Sequence, residues 1–196
     1  SMTDQCGNVY KTVNIGTQTW MAQNLRTTKY NDGSEILNVP ETSKWTTIST
    51  GAYCSYNGSN SPDTITTFGY LYNAKAVNTG KLAPKGWHVP TDEEWSLLMS
   101  YLGNRTIAGA KLKEEGTVHW TNPNNADNDT GFTALPGGLR DGTGKFVGIR
   151  IWVLFWSSTT KDTNYNWGRY MLYGVPDVYV DYYDNNMGMS VRCIKD

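Results

Sequence analysis

The C-terminal third of the chain holds the residues best suited to chemistry, a mixture of aromatic and polar side chains. Asparagine and aspartate residues are interleaved there with ten aromatic residues. Those ten are Trp152, Phe155, Trp156, Tyr165, Trp167, Tyr170, Tyr173, Tyr179, Tyr182 and Tyr183. Aromatic faces beside amides and carboxylates are typical of recognition surfaces, and they also suit sugars. The competing interpretation is a tyrosine-rich sheet whose hydroxyls simply reach water.

Catalytic arrangements are weak throughout the sequence. The chain has two histidines, His88 and His119, and His88 lies in an apolar run that favours a structural role. Ser157-Ser158 stands outside any G-x-S-x-G turn. Glu93-Glu94 is explained by the start of a helix, which leaves no carboxylate pair for glycoside hydrolysis. We therefore expect a protein that is not an enzyme and that needs no cofactor.

One polar loop offers hard oxygen ligands of the kind that Ca²⁺ prefers. Its candidate ligands are Asn124, Asn125, Asp127, Asn128 and Asp129. The order does not match an EF-hand, which requires glycine at the sixth place and glutamate at the twelfth. Calcium binding by this loop is one hypothesis, and a solvated, turn-rich loop is the other.

Length and composition predict one domain over residues 1–196. A net charge of −1 gives no basic field for nucleic acid. The most apolar run, Ile149 to Phe155, is far too short to cross a membrane, so we expect no direct membrane insertion. We expect Ser1-Met2 to be a remnant of cloning and an export signal to have been removed ahead of it.

The element that must position the late residues is a helix with a strong start signal. Thr91 is a natural N-cap, and Glu94 three residues later can complete a capping box. The pattern predicts a helix over residues 92–102, with Gly103 after it as the stop. Its apolar face consists of Trp95, Leu98, Met99 and Leu102.

Strand patterns occupy both ends of the chain. Residues 9–15 alternate apolar and polar positions, and residues 18–22 read as their hairpin partner. A second short helix is predicted over residues 70–77, while residues 108–113 fit either a strand or a short helix. Four antiparallel strands are predicted over residues 151–157, 165–172, 177–183 and 187–194. Two short helices, antiparallel sheets and long ordered loops make an α+β fold.

Five runs, in order along the chain, resemble the Fibrobacter succinogenes major paralogous domain family. They are Tyr10-Lys11-Thr12-Val13-Asn14-Ile15-Gly16 with Trp20-Met21-Ala22-Gln23-Asn24-Leu25, Gly86-Trp87-His88-Val89-Pro90-Thr91-Asp92-Glu93-Glu94-Trp95, Gly131-Phe132-Thr133-Ala134-Leu135-Pro136-Gly137-Gly138, Trp156-Ser157-Ser158-Thr159 and Ser190-Val191-Arg192-Cys193. That family occurs in exported proteins of Bacteroidetes and Fibrobacteres and carries no assigned activity. It is similar to the C-type-lectin-like fold through the branch of formylglycine-generating enzyme. The latter enzyme needs two late cysteines, and residues 156–186 contain none, so its oxidase chemistry is not expected here.

The resemblance also implies that the N-terminal and C-terminal strands lie side by side. A disulfide between Cys6 and Cys193 would then close a very long loop and stabilise the fold by ~4–5 kcal/mol in the entropic model. The competing possibilities are a Cys54–Cys193 bridge and three free thiols.

In lectin-like folds the terminal region is where ligands dock, and in relatives diversified by retroelements it carries the variable residues. We therefore predict an exposed ligand-binding face that consists of Tyr165, Trp167, Arg169, Tyr173, Tyr179, Asp181 and Tyr183. The implied function is a secreted or cell-surface module that recognises a protein or glycan ligand, with a retroelement-diversified variable protein as one form that it could take. The alternatives are a purely structural module of a surface or fimbria-like assembly and, more remotely, an enzyme like formylglycine-generating enzyme. The oligomeric state is open.

Overall fold

The computed structural model describes all 196 residues and confirms a mixed α+β fold of short elements. The α-helices are α1 (Thr42–Trp45), α2 (Pro62–Phe68), α3 (Ala74–Val77), α4 (Asp92–Tyr101) and α5 (Arg105–Leu112). The strands are β1 (Met2–Thr3), β2 (Val9–Tyr10), β3 (Thr12–Ile15), β4 (Gln18–Met21), β5 (Leu37–Asn38), β6 (Ala52–Cys54), β7 (Leu71–Asn73), β8 (Trp87–His88), β9 (Gly137–Arg140), β10 (Phe146–Ile149), β11 (Trp152–Thr160), β12 (Tyr165–Leu172), β13 (Tyr179–Asp184), β14 (Gly188–Met189) and β15 (Ile194–Lys195). A 3₁₀ turn covers Tyr56–Gly58.

Three sheets organise these strands. The large sheet has the order β13-β12-β11-β9-β14-β7-β6-β5, with β10 paired to β9. A four-stranded sheet has the order β3-β4-β15-β8, and β1 pairs with β2. The late strands β11, β12 and β13 form one antiparallel edge of the large sheet, so this edge is built from consecutive chain.

The two ends of the chain lie side by side, as the resemblance implied. β15 pairs antiparallel with β4, with Ile194 opposite Trp20. The predicted strand over residues 187–194 is instead two short strands, because β14 joins the large sheet and β15 the small one. Between them the fully buried Arg192 donates hydrogen bonds to the side chain of Asn24 and to the carbonyls of residues 21, 132 and 133. Arg192 therefore ties the two termini to the Gly131–Gly138 run.

Helix α4 begins where its sequence predicts. The Glu94 N–H donates to Thr91 Oγ1 at 3.2 Å, and the Thr91 N–H donates to Glu94 Oε2 at 2.8 Å, which completes the capping box. His88 Nε2 lies 2.8 Å from Glu94 Oε1, and His88 Nδ1 lies 2.7 Å from Asp196 Oδ1. Burial alone would lower the pKa of His88, but the hydrogen bonds to Asp196 and Glu94 outweigh it and raise that pKa. His88 thus joins the start of α4 to the end of the chain.

The structure has five α-helices, whereas the sequence predicted two. The helix predicted over residues 70–77 is partly wrong. Residues 71–73 form β7, which is held between β6 and β14, and only the last four residues are helical. Helix α2 is not among the helices predicted from the sequence, although Ser61 at its N-cap and Pro62 at its first position are recognised start signals. Of the ambiguous residues 108–113, residues 108–112 belong to α5, and Lys113 follows its last residue.

Two buried clusters flank the late strands. On one side of the sheet, α4 packs against β11 through Trp95, which stacks on Phe155 at 5.7 Å between ring centroids, and α5 contributes Ala108 and Leu112 to the same cluster. On the other side, Leu154 and Trp156 pack with Tyr72 and Val191. The late strands are therefore covered on both faces near β11, and exposure increases towards the edge strand β13.

All three cysteines are free thiols, so the predicted Cys6–Cys193 disulfide is wrong. Cys6 is exposed, and its sulfur lies 3.3 Å from Thr28 Oγ1 and 3.5 Å from Thr27 Oγ1. Cys193 is fully buried in the core beside Met21. Cys54 is also a free thiol, so the alternative Cys54–Cys193 bridge is not formed either. Burial raises the pKa of Cys54 to about 11.

Candidate functional site

The β12–β13 ladder divides the predicted ligand-binding residues between two faces. Trp167 pairs with Tyr182, Gly168 with Asp181, and Tyr170 with Tyr179. Paired residues share a face and successive residues alternate between faces. One face, here called the helix side because α4 packs on it, carries Tyr165, Trp167, Arg169, Met171, Val180 and Tyr182. The other, here called the pocket side, carries Trp152, Leu154, Tyr170, Tyr179, Asp181 and Tyr183.

Arg169 was predicted to contact ligand, and that prediction is wrong. Its side chain is fully buried and forms an ion pair with Asp92 at 2.5 Å. It also donates a hydrogen bond of 3.1 Å to the carbonyl of Asp92 in the first turn of α4. Arg169 therefore fixes α4 to β12 from inside the molecule, where no ligand reaches it.

The helix side carries an aromatic cluster at its uncovered end. Tyr182 is 42% exposed, and its ring meets Tyr165 and Trp167 edge to face at centroid distances of 5.5 Å and 5.8 Å. Lys161 Nζ lies 2.9 Å from the centroid of the same ring. Tyr173, the remaining predicted residue on this side, is partly buried against the core beneath the helices. The ammonium group of Lys161 thus already lies over the Tyr182 ring of this cluster. Tyr182 itself was not among the predicted ligand-binding residues.

The pocket side holds an open pocket of about 280 Å³. Its lining residues come from four neighbouring elements and are Leu139, Trp152, Leu154, Tyr170, Asp181 and Tyr183. Asp181 and Tyr183 were predicted, whereas Trp152 and Tyr170 were missed. Tyr179, also predicted, supports the wall because its ring stacks on Tyr170 at 4.5 Å with an interplanar angle of 12°.

Two glycines allow the aromatic walls to pack closely. A Cβ on Gly168 would lie 3.0 Å from both the Tyr183 ring and the Met189 methyl group. A Cβ on Gly148 would fall 1.8 Å from the Trp152 indole nitrogen. These positions have room only because a side chain is absent, so the backbone itself sets where Tyr183 and Trp152 stand.

The charge in the pocket is a single carboxylate. Asp181 is exposed, accepts a hydrogen bond from the Tyr182 N–H at 2.8 Å and forms no ion pair. The pKa of Tyr183 is raised, first by burial and then by the Asp181 charge. The pKa of Tyr170 is also raised, first by burial and then by the charges of Tyr179 and Asp181. Both phenols are therefore held neutral beside an unpaired negative charge.

The acidic loop is organised by its own backbone. Asp127 Oδ1 accepts from the Asp129 N–H at 3.0 Å, and the Asn124 amide donates to the carbonyls of Glu114 and Gly116. No three histidine, cysteine, aspartate or glutamate side chains come together as a metal site. Calcium binding by this loop stays a prediction.

These features define an α+β protein whose large sheet carries an aromatic pocket with one carboxylate near its edge. No helix has both the length and the apolar character needed to cross a bilayer. The chain belongs to the Fibrobacter succinogenes major domain family, whose model matches residues 13–195. None of the curated proteins and none of the solved structures compared with the chain matches it.

Proposed function

We propose that this protein is a non-enzymatic recognition module that binds a protein or glycan ligand in the pocket of the late strands. The observation that carries the proposal is the pocket itself, in which three aromatic side chains and one carboxylate converge on an open cavity. Aromatic walls with a few placed polar groups are the usual composition of a ligand site. No cofactor is required by this arrangement.

The rest of the fold supports a module that is rigid around its binding site. Trp156, next to the pocket, donates its indole N–H to the Tyr72 carbonyl at 2.7 Å, and its ring meets Tyr183 edge to face. Tyr170 is braced by Tyr179. Side chains that are fixed before binding lose little conformational entropy when a ligand arrives.

The wider setting of the proposal follows from the family resemblance. We infer a C-type-lectin-like arrangement in an exported protein, secreted or held at the cell surface, whose late strands can vary on a constant frame, as in proteins diversified by retroelements. The adjacent termini and the Arg192 hydrogen bonds supply such a frame, since they lie outside the late strands. If the pocket binds no ligand, the alternative function is a purely structural module of a surface assembly.

A matched pair of variants tests the proposal. Tyr170→Ala removes a wall of the pocket, whereas Tyr182→Ala removes a more exposed tyrosine from the other face of the same ladder. Each variant and the wild-type protein would be applied to a glycan array and used to capture partners from cell-surface extracts. We expect the wild type and Tyr182→Ala to retain ligand and Tyr170→Ala to lose it. Equal binding by all three proteins, or no binding by the wild type, would reject the pocket as the recognition site.

A further inference from the structure

We propose that the pocket selects ligands bearing a positively charged ammonium group, quaternary or protonated. This inference rests on the proposed function and adds the chemical class of the group that is recognised. It is carried by the combination of Trp152, Tyr170 and Tyr183 with Asp181 in one small cavity. The ring faces and the carboxylate both favour a cation over a neutral group, and here they line the same cavity.

The aromatic walls attract cations through their π faces. An ammonium group within about 6 Å of a ring centroid gains electrostatic energy from the ring quadrupole, and tryptophan is the strongest partner. The same preference is already visible on the other face of the ladder, where Lys161 sits over Tyr182. The pocket-side rings have no such internal cation.

The carboxylate of Asp181 makes the pocket negatively charged. No lysine or arginine lines the cavity, and Asp181 has no ion-pair partner. Arg169 on the neighbouring strand belongs to the opposite face and is already paired with Asp92. A cationic ligand would therefore neutralise an unpaired charge, while an anionic ligand would be repelled.

The size of the cavity favours a single head group. Sites for drug-sized ligands occupy about 300–1,000 Å³, so a pocket of about 280 Å³ lies just below that range. A trimethylammonium group or one amino-sugar residue is compatible with that volume. The braced positions of Tyr170 and Tyr183 fix the walls before binding.

The closing experiment compares a cation with its neutral isostere. Choline and 3,3-dimethyl-1-butanol have the same shape around the branched head, and only choline is charged. Binding of each to the wild-type chain is followed by NMR, with the indole resonance of Trp152 as the local reporter. We expect choline to bind about tenfold more tightly than the alcohol, because the ring faces and the Asp181 carboxylate both attract its charge.

Two variants locate the source of the selectivity. Asp181→Asn should weaken choline binding severalfold and leave the alcohol unchanged, since only the charge is removed. Tyr182→Ala, on the opposite face, should change neither. Protonated glucosamine and Nα-acetyl-lysine amide, each compared with its N-acetylated neutral form, then show whether a sugar or a lysine side chain presents the ammonium group better.

The outcomes separate this inference from the proposed function. Equal affinity for choline and the alcohol, or choline binding unaffected by Asp181→Asn, would overturn the ammonium preference. Failure of all cations to perturb Trp152, together with Tyr170-dependent capture of a ligand, would also overturn it while the recognition site stands. Loss of Tyr170-dependent capture would instead remove the proposed function.

Discussion

The two faces of the β12–β13 ladder contain similar residues and have different roles. On the helix side, Arg169 is buried beneath the start of α4, and the aromatic cluster is capped by Lys161. On the pocket side, Asp181 has no charged partner, and the rings line a cavity. The difference arises from what covers each face rather than from composition. Charged and aromatic side chains remain available to a ligand only where no element of the chain supplies their partners.

The largest expected effect concerns the helix side. Arg169→Met should destabilise the protein by about 3 kcal/mol, the low end for breaking a buried ion pair, because Asp92 is partly exposed and can be hydrated. Urea unfolding measures this change. The matched pocket-side variant Asp181→Asn should alter stability by less than about 0.5 kcal/mol, since Asp181 has no ion pair to lose and an asparagine oxygen can still accept from the Tyr182 N–H. Similar losses in both variants would contradict the assigned difference between the faces.

A smaller effect is expected from the aromatic residues. Tyr170→Ala should cost about 1–2 kcal/mol, because it removes the stack with Tyr179 and part of a half-buried ring. Tyr182→Ala should cost about 0.5 kcal/mol, since its contacts are at the surface. Thermal unfolding gives the stabilities, and the ligand assays give binding. A Tyr182 variant that lost ligand while Tyr170→Ala kept it would place recognition on the helix side.

Gly168→Ala tests the comparison of the two faces at a position inside β12. Its new methyl group would press on the Tyr183 ring and the Met189 methyl group, and overpacking of this kind costs about 1–3 kcal/mol. We expect about 1–2 kcal/mol, because the Met189 side chain can move aside but the Phe155 carbonyl oxygen, also 3.0 Å from the new Cβ, belongs to the backbone. The control is Gly142→Ala, where the added Cβ would meet nothing within 4 Å. Denaturant midpoints measure both, and equal midpoints would show that Gly168 does not set the position of Tyr183.

Much of the frame could be predicted from sequence because its signals are local. The Thr91–Glu94 capping box lies within four residues, and the ranges of β11 and β12 follow from alternation and turn residues. At Ser61-Pro62 a helix start signal is present, but the polar composition of the surrounding segment does not indicate the short helix that follows. At residues 70–77 strand pairing overrides helix propensity, because Leu71–Asn73 pair with β6 on one side and β14 on the other.

The candidate site was harder to predict because it depends on contacts between distant segments. Alternation correctly separates Arg169 from Tyr170, but it does not say which face α4 covers. The Asp92–Arg169 pair joins residues 77 positions apart, and Trp152 enters the pocket only because β11 lies between β12 and β9. The predicted disulfide failed for the same reason. Adjacent terminal strands do not bring the sulfurs together when Cys6 faces the Thr27–Thr28 hydroxyls and Cys193 faces the core.

The smallest effect expected is a pH dependence confined to the frame. The pKa of His88 is raised in the folded protein above its ordinary value near 6.5, so the folded state binds more protons than the unfolded state between those two values. The stability that His88 contributes through Glu94 and Asp196 is therefore fully present below about pH 6.5 and is lost as the pH rises through the folded pKa. Because His88 is partly exposed, the change in midpoint should be small.

Denaturant unfolding at a series of pH values from 5 to 8 measures this dependence, with His88→Gln as the control that should flatten it. Choline binding should not follow the same curve, since His88 does not line the pocket. A profile unchanged in His88→Gln would assign the dependence to another group. A binding curve that tracked His88 would instead show that the start of α4 and the pocket side are coupled through β12, and would contradict the independence of the two faces.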